Sequence, residues 1–258
     1  MKNKKTFPII VYFMAFMLFF SCGNNDGSEK TNDGKQKTKS RSFGTMESST
    51  KIAYESTLNG GYDIYTINAD GTDIKQLTGN QGRNRFPSWS PDGTKIVFAS
   101  TRRIRNTLDI FVMNADGTNT VILTQTPGWN GHPVWSPDGS RIAFETAREK
   151  NFEIFIMNAD GSDPVNLTKN QAYDSKPCWS PDGSKIIFAS DRGLAQDKRN
   201  FDIWIMNKDG SDPKQLTTNG SWDDHPVFSP DGKTIYFRSN RGLKWDIWVM
   251  KLAQGKEE

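Results

Sequence analysis

One five-residue phrase recurs along the chain and constrains its fold more than any other feature. Trp89-Ser90-Pro91-Asp92-Gly93 precedes Lys95-Ile96-Val97-Phe98, and Trp135-Ser136-Pro137-Asp138-Gly139 precedes Arg141-Ile142-Ala143-Phe144. Trp179 to Gly183 precedes Lys185-Ile186-Ile187-Phe188, and Phe228 to Gly232 precedes Thr234-Ile235-Tyr236-Phe237. In each copy Pro presets φ for the second position of a type I turn, Asp tolerates the third, and Gly closes it. The turn therefore joins two short strands. A second phrase follows, as Asp63 to Gly71, Asp109 to Gly117, Glu153 to Gly161 and Asp202 to Gly210, with a shortened copy at Asp246-Ile247-Trp248-Val249-Met250. Its apolar run reads as a strand and its Asn-x-Asp-Gly as a hairpin turn, with Gly free to take positive φ. A short strand ending in Leu-Thr closes the unit at Leu77-Thr78, Leu123-Thr124, Leu167-Thr168 and Leu216-Thr217.

Four short antiparallel strands in a repeat of about 45 residues is the pattern of a propeller blade. Strands such as Ile110-Phe111-Val112-Met113 are apolar on both faces. That fits a sheet packed between two neighbours. The Ile-x-Phe/Tyr strand occurs five times, at Ile52, Ile96, Ile142, Ile186 and Ile235. The fold class is therefore all-β: a single β-propeller of four-stranded antiparallel blades, five by count. A six-bladed-like or incompletely closed ring is the alternative. The first blade has Met46-Glu47-Ser48-Ser49 in place of the Ser-Pro-Asp-Gly turn, and the last lacks its Leu-Thr strand. Residues around Ser42 to Thr45 either start blade one or close blade five, because an unclosed ring exposes an edge strand.

The chain starts with basic Met1-Lys2-Asn3-Lys4-Lys5 and runs apolar from Pro8 to Phe20. That run is too short to span a bilayer as a helix and reads as a signal peptide. Ser21-Cys22 resembles the lipobox of bacterial lipoproteins, with Phe19 where Leu is usual, and makes Cys22 the lipidated first residue. Residues 23 to 42 carry no apolar side chain and cannot bury enough surface to order themselves. The chain thus divides into a signal peptide (1–21), a tether (22–42) and a propeller (43–258). Net charge is +3, and much of the excess lies in the tether, so no nucleic-acid footprint is present. Cys178, beside Trp179, reads as a small buried residue.

The Trp-Ser-Pro-Asp-Gly-x-x-Ile-x-Phe and Asp-Ile-x-x-Met-Asn-x-Asp-Gly units resemble the Pro-Asp, WD40-like repeats of the TolB family over residues 51–250. The resemblance implies a periplasmic propeller, six-bladed in that family, that binds a lipoprotein of the Tol-Pal envelope system. This chain departs by having no α/β domain before the propeller, by counting one blade fewer, and by carrying its own lipid anchor. Similar repeats occur in the propellers of prolyl-oligopeptidase-like enzymes and some oligogalacturonate lyases.

The Ser-Pro-Asp-Gly and Asn-x-Asp-Gly turns fall on one end of the ring and are nearly identical, so they are fold chemistry. The loops at the other end differ from blade to blade, and ligand specificity is expected there. They read Arg83-Asn84-Arg85-Phe86, Trp129-Asn130-Gly131-His132, Tyr173-Asp174-Ser175-Lys176 and Trp222-Asp223-Asp224-His225. The candidate ligand-binding residues are Arg83, Arg85, Trp129, His132, Tyr173, Lys176, Trp222, Asp223, Asp224 and His225. Exposed aromatics among polar neighbours round a funnel suit a protein hot spot or stacking on a sugar; packing against neighbouring loops is the plainer reading. A second loop set repeats an Arg at Arg102, Arg148, Arg192 and Arg241. That regularity favours a structural role, each Arg pairing with Asp109, Glu153, Asp202 or Asp246, over a ring for an anionic ligand. The longest loop of this set runs from Asp191 to Phe201.

No Gly-x-Ser-x-Gly nucleophile elbow is present. His132 and His225 with Asp223 or Asp224 could hold a metal, but a catalytic zinc site uses three protein ligands. Their shared position before Pro reads as loop packing. Glycosidase chemistry needs paired carboxylates facing a cleft, and Asp174, Asp223 and Asp224 cluster on two blades. The expectation is a protein that is not an enzyme, without cofactor or metal. It is a lipid-anchored envelope propeller, periplasmic or surface-facing at the outer membrane, whose loop face binds an envelope protein. A glycan-binding or glycan-degrading propeller is the alternative.

Overall fold

The computed structural model describes residues 50–79, 81–104, 106–192, 200–242 and 244–252. The signal peptide, Cys22, the tether and the closing segment Ser42 to Thr45 lie outside the described residues, as does most of the loop from Asp191 to Phe201. The described residues form five antiparallel sheets without a helix. Blade 1 holds β1 (Lys51–Ser56), β2 (Asp63–Asn68) and β3 (Lys75–Gln76). Blade 2 holds β4 (Asn84–Trp89), β5 (Lys95–Ile104), β6 (Thr107–Asn114) and β7 (Val121–Ile122). Blade 3 holds β8 (Asn130–Trp135), β9 (Arg141–Glu149), β10 (Asn151–Asn158) and β11 (Val165–Asn166). Blade 4 holds β12 (Asp174–Trp179), β13 (Lys185–Ser190), β14 (Asp202–Asn207) and β15 (Lys214–Gln215). Blade 5 holds β16 (Asp223–Phe228), β17 (Thr234–Ser239) and β18 (Asp246–Lys251). The protein is a five-bladed β-propeller, as the repeat count requires.

The repeated turn is a self-contained hydrogen-bond unit. Gly93 N–H donates to Ser90 O at 2.9 Å, Ser90 Oγ donates to Asp92 Oδ1 at 2.6 Å, and Lys95 N–H donates to Ser90 Oγ at 2.9 Å. The same set recurs at Ser136/Asp138, Ser180/Asp182 and Ser229/Asp231. The Ser hydroxyl is the largest cause that lowers the pKa of Asp92, Asp138, Asp182 and Asp231. A second latch holds the outer strand. Thr78 Oγ1 accepts Ile64 N–H at 2.9 Å and donates to Asp63 at 2.9 Å. Thr124, Thr168 and Thr217 repeat it on Ile110, Ile154 and Ile203. Those Leu-Thr pairs are fold chemistry as well.

Blades 2, 3 and 4 bury both faces because each is packed between two others. Val97, Ile110 and Val112 pack on Trp135, Ile142 and Phe144 of blade 3, while Ile96, Phe98, Phe111 and Met113 pack toward Ile64 of blade 1. Full burial of one such side chain stabilises by about 1.5–3 kcal/mol. Blade 5 departs from this pattern. Its Tyr236, Ile247 and Val249, which correspond to Val97, Ile110 and Val112, are 40%, 67% and 58% exposed. Contacts run in order from blade 1 to blade 5, and among the described elements blade 5 does not touch blade 1.

The repeated arginines are structural, but their expected partners need correction. Arg102 bonds Asn84 and Ser100, Arg148 bonds Asn130 and Thr146, Arg192 bonds Asp174 and Ser190, and Arg241 bonds Asp223 and Ser239. Each reaches the inner strand of its own blade, not the acid at the start of the third. The guanidinium lies over two core rings on the way, Phe98 and Phe111 for Arg102 at 5.1 and 4.9 Å. Asp109 is instead met by Arg103, at 2.7 Å.

Candidate functional site

Among the described residues the inner strands of blades 2 to 5, β4, β8, β12 and β16, carry a β-bulge at one place, between Arg85 and Ser88, Gly131 and Val134, Ser175 and Cys178, and Asp224 and Val227. The residue before Pro takes positive φ there: Phe86 (56°), His132 (45°), Lys176 (54°) and His225 (51°). A following Pro disfavours the ordinary helical region for its predecessor, and a bulge re-aims the side chain it carries. These side chains converge from different blades. Phe86 stacks on His132 with centroids 3.8 Å apart, and His132 meets His225 edge-on at 6.0 Å.

Three buried or half-buried carboxylates anchor the cluster. Glu55 bonds the Arg85 guanidinium at 2.9 Å and the Phe86 N–H at 3.0 Å. Glu145 bonds His132 Nδ1 at 2.8 Å and the Lys176 N–H at 2.7 Å. Asp224 accepts from Lys176 Nζ, His225 Nδ1 and both Nε and Nη2 of Arg238, each at 2.8 Å, and from Trp222 Nε1 at 3.1 Å. Burial by itself would raise the Asp224 carboxyl, yet hydrogen bonds from His225 and Arg238 and the charge of Lys176 hold it well below the usual range. Burial would likewise raise Glu145, but the charge and hydrogen bond of His132 outweigh it, and its pKa is lowered. Burial lowers the His225 pKa, assisted by the charges of Lys176 and His132, and so favours the neutral ring.

Around this centre lies an aromatic rim. Trp129 meets Phe152 at 5.2 Å, Phe152 meets Tyr173 at 6.0 Å, Phe201 meets Trp222 at 5.0 Å, and Trp222 meets Trp245 at 6.3 Å. A depression of about 250 Å³ is lined by Glu145, Phe152, Tyr173, Ser175, Lys176 and Phe201. Another of about 150 Å³ is lined by Arg83, Arg85, Thr101, Asn106, Leu108 and Trp129. The structure thus brings together nine of the ten expected site residues. Arg83 and Trp129 wall the smaller depression, and Arg85 also lies over the Tyr62 ring at 4.6 Å. Asp223 stands apart. It is fully buried, with Oδ2 taken by Arg241 at 2.6 Å and Asn219 at 2.9 Å, so it anchors its blade.

Glu55, Glu145, Arg238, Phe86, Phe152, Phe201 and Trp245 were not among the expected site residues. One signal could have found three of them. Glu55, Glu145 and Arg238 occupy the position of Ala99 and Ala189 in the second strand, so each is a charge in an apolar run. Phe152, Phe201 and Trp245 each stand immediately before the acid of the third-strand phrase, Glu153, Asp202 or Asp246, after connections whose differing lengths hide their equivalence. Chemically, the cluster spends its charges on one another. Arg85 meets Glu55, Lys176 and Arg238 meet Asp224, and His132 meets Glu145, so what remains for a partner is a ring of aromatic faces with polar groups between.

Fold and site together define a five-bladed β-propeller of Pro-Asp repeats with an aromatic-rimmed loop face. The PD40 family, the TolB beta propeller domain, matches residues 108–196. A protein TolB homolog of Chlorobium luteolum is 40% identical over 52 residues, 20% of this chain and 12% of that one. The crystal structure of TolB from Acinetobacter baumannii superimposes with a TM-score of 0.68 at 24% identity, over 81% of this chain and 52% of that chain. A structure assigned as TolB from Agrobacterium tumefaciens gives 0.62 at 25% identity, over 79% and 71%. Over residues 108–196 the chain matches the TolB propeller domain, and it shares the propeller fold of the TolB structures; it spans about half or less of the length of the Acinetobacter and Chlorobium relatives.

Proposed function

We propose that this chain is a non-catalytic lipoprotein of the cell envelope whose propeller loop face binds another envelope protein. One observation carries the reading: Trp129, Phe152, Tyr173, Phe201, Trp222 and Trp245 rim a funnel in which Arg85 is paired with Glu55 and Lys176 and Arg238 with Asp224. Large rigid aromatics beside desolvated polar groups are the composition of protein hot spots. The match to the TolB propeller domain supports an envelope setting, and Ser21-Cys22 supports a lipid anchor at Cys22.

The test is affinity capture from solubilised envelope with the full chain in detergent, set against Trp129→Ala/Trp222→Ala. One protein retained by the wild type and lost by the variant supports the reading. Equal retention moves the contact off this face. Retention of nothing, with saturable affinity on a glycan array, replaces the reading by the carbohydrate one. Metabolic labelling with a fatty acid, lost in Cys22→Ala, tests the anchor.

A further inference from the structure

His132 and His225 lie on the inner strands of blades 3 and 5, which are not neighbours, yet their ring centroids are 6.0 Å apart. Each ring is fixed by its Nδ1, 2.8 Å from Glu145 Oε1 in one case and from Asp224 Oδ1 in the other. Both carboxylates accept other donors as well, Glu145 the Lys176 N–H at 2.7 Å and Asp224 the Lys176 Nζ and Arg238 guanidinium at 2.8 Å. A carboxylate so placed accepts from the imidazole too, so the proton sits on Nδ1. In the neutral ring the lone pair is then on Nε2. Both Nε2 atoms are enclosed and have no hydrogen-bond partner. Buried polar atoms are seldom left in that state, and here two are left so on rings that meet edge-on.

We propose that His132 and His225 form a two-imidazole site for a divalent transition-metal ion of the zinc class. A carboxylate or carbonyl on the far nitrogen is the arrangement that orients metal-binding histidines and strengthens them as ligands. The spacing agrees: with a zinc–nitrogen bond of about 2.0–2.1 Å and a ring radius of about 1.1 Å, two imidazoles sharing one ion have centroids about 5–6 Å apart. Asp224, a ligand candidate by sequence, is used instead to hold His225. Among the described residues no group of three or more His, Cys, Asp or Glu is placed to hold a metal, so the protein supplies two ligands and water or an incoming group supplies the rest. Arg85 balances Glu55, and Lys176 and Arg238 both pair with Asp224, while Glu145 pairs with His132 alone. With only two protein ligands, affinity falls below that of a four-ligand structural site.

The test is calorimetric titration of the untagged full chain, in detergent, with Zn2+. One ion per chain is expected, at a Kd of micromolar order, weakened at least ten-fold by either His132→Gln or His225→Gln. Glu145→Gln keeps both imidazoles but loosens one, and a loss of about ten-fold or more is expected from it. Because a variant could lose fold and metal together, a second readout uses the unaltered chain: the EPR spectrum of bound Cu2+ must show two imidazole nitrogens. Absence of one-to-one uptake, uptake unchanged in both histidine variants, or a Cu2+ spectrum without two nitrogens overturns the proposal.

Discussion

Glu145 on β9 accepts the backbone N–H of Lys176 on β12 at 2.7 Å, across the seam between blades 3 and 4. Glu55 on β1 does the same for Phe86 on β4 at 3.0 Å, across the seam between blades 1 and 2. The bulge before Pro frees an N–H that no ladder partner can take, and a carboxylate from the preceding blade takes it. Blades 2 and 4 have Ala99 and Ala189 at that position, so the seams alternate in chemistry.

Removal of Glu145 tests that seam. The side chain is almost wholly buried. Glu145→Ala strands the Lys176 N–H and His132 Nδ1 together, and a loss of about 3 kcal/mol is expected in urea unfolding. Glu145→Gln keeps an acceptor and should cost about 1 kcal/mol. Equal costs would mean that the charge, not the acceptor, holds the seam.

Acid should weaken the fold in two legs. His225 resists protonation in the folded state, so the unfolded chain binds more protons, and stability falls as pH drops below the unfolded histidine value of about 6.5. Asp224 has a depressed folded pKa, so its contribution is present above the unfolded value of about 3.9 and is lost as pH falls toward the folded one. The groups facing these two are Lys176, Arg238, Trp222 and His132. His225→Gln should flatten the upper leg between about pH 7 and pH 5 and leave a reduced lower leg, which Arg238 and Lys176 still support. Urea midpoints across that range check it.

The hairpin glycines should not be equivalent. Gly71 and Gly161 both have positive φ, 85° and 90°. A Cβ at Gly161 would come within 2.7 Å of Leu123 O on the previous blade, whereas one at Gly71 meets nothing within 4 Å. Gly71→Ala should cost about 1–2 kcal/mol from backbone conformation alone. Gly161→Ala should cost about 1–3 kcal/mol more, because the blades must move apart. Thermal unfolding of the two variants separates the contributions.

Equivalent isoleucines should differ as sharply. Ile110 is fully buried against blade 3, while Ile247, at the same place in blade 5, is 67% exposed. Ile110→Ala should cost about 2–5 kcal/mol and Ile247→Ala less than about 0.5 kcal/mol. A large cost at Ile247 in chemical denaturation would show that this face is covered in solution.

Much of the fold is written locally. Ser90-Pro91-Asp92-Gly93 closes its own turn through bonds among neighbours in sequence, and Thr78 reaches Ile64 within one hairpin. The site is less legible. Trp129, Tyr173 and Trp222 could be found because they align on a following Pro. Arg102 was read as the partner of an acid because both recur, but Asn84 competes from the inner strand and wins by position in the sheet.

The sequence by itself determined the blade, its turns, its two apolar faces and the number of times it repeats, since each depends on residues within about 45 positions of one another. Only the tertiary structure decided which side chains meet at the centre. His132 and His225 are 93 positions apart, and Lys176 and Asp224 are 48. Their encounter depends on how the twisted sheets close round an axis. No local pattern encodes that angle; it follows from the packing of one whole blade on the next.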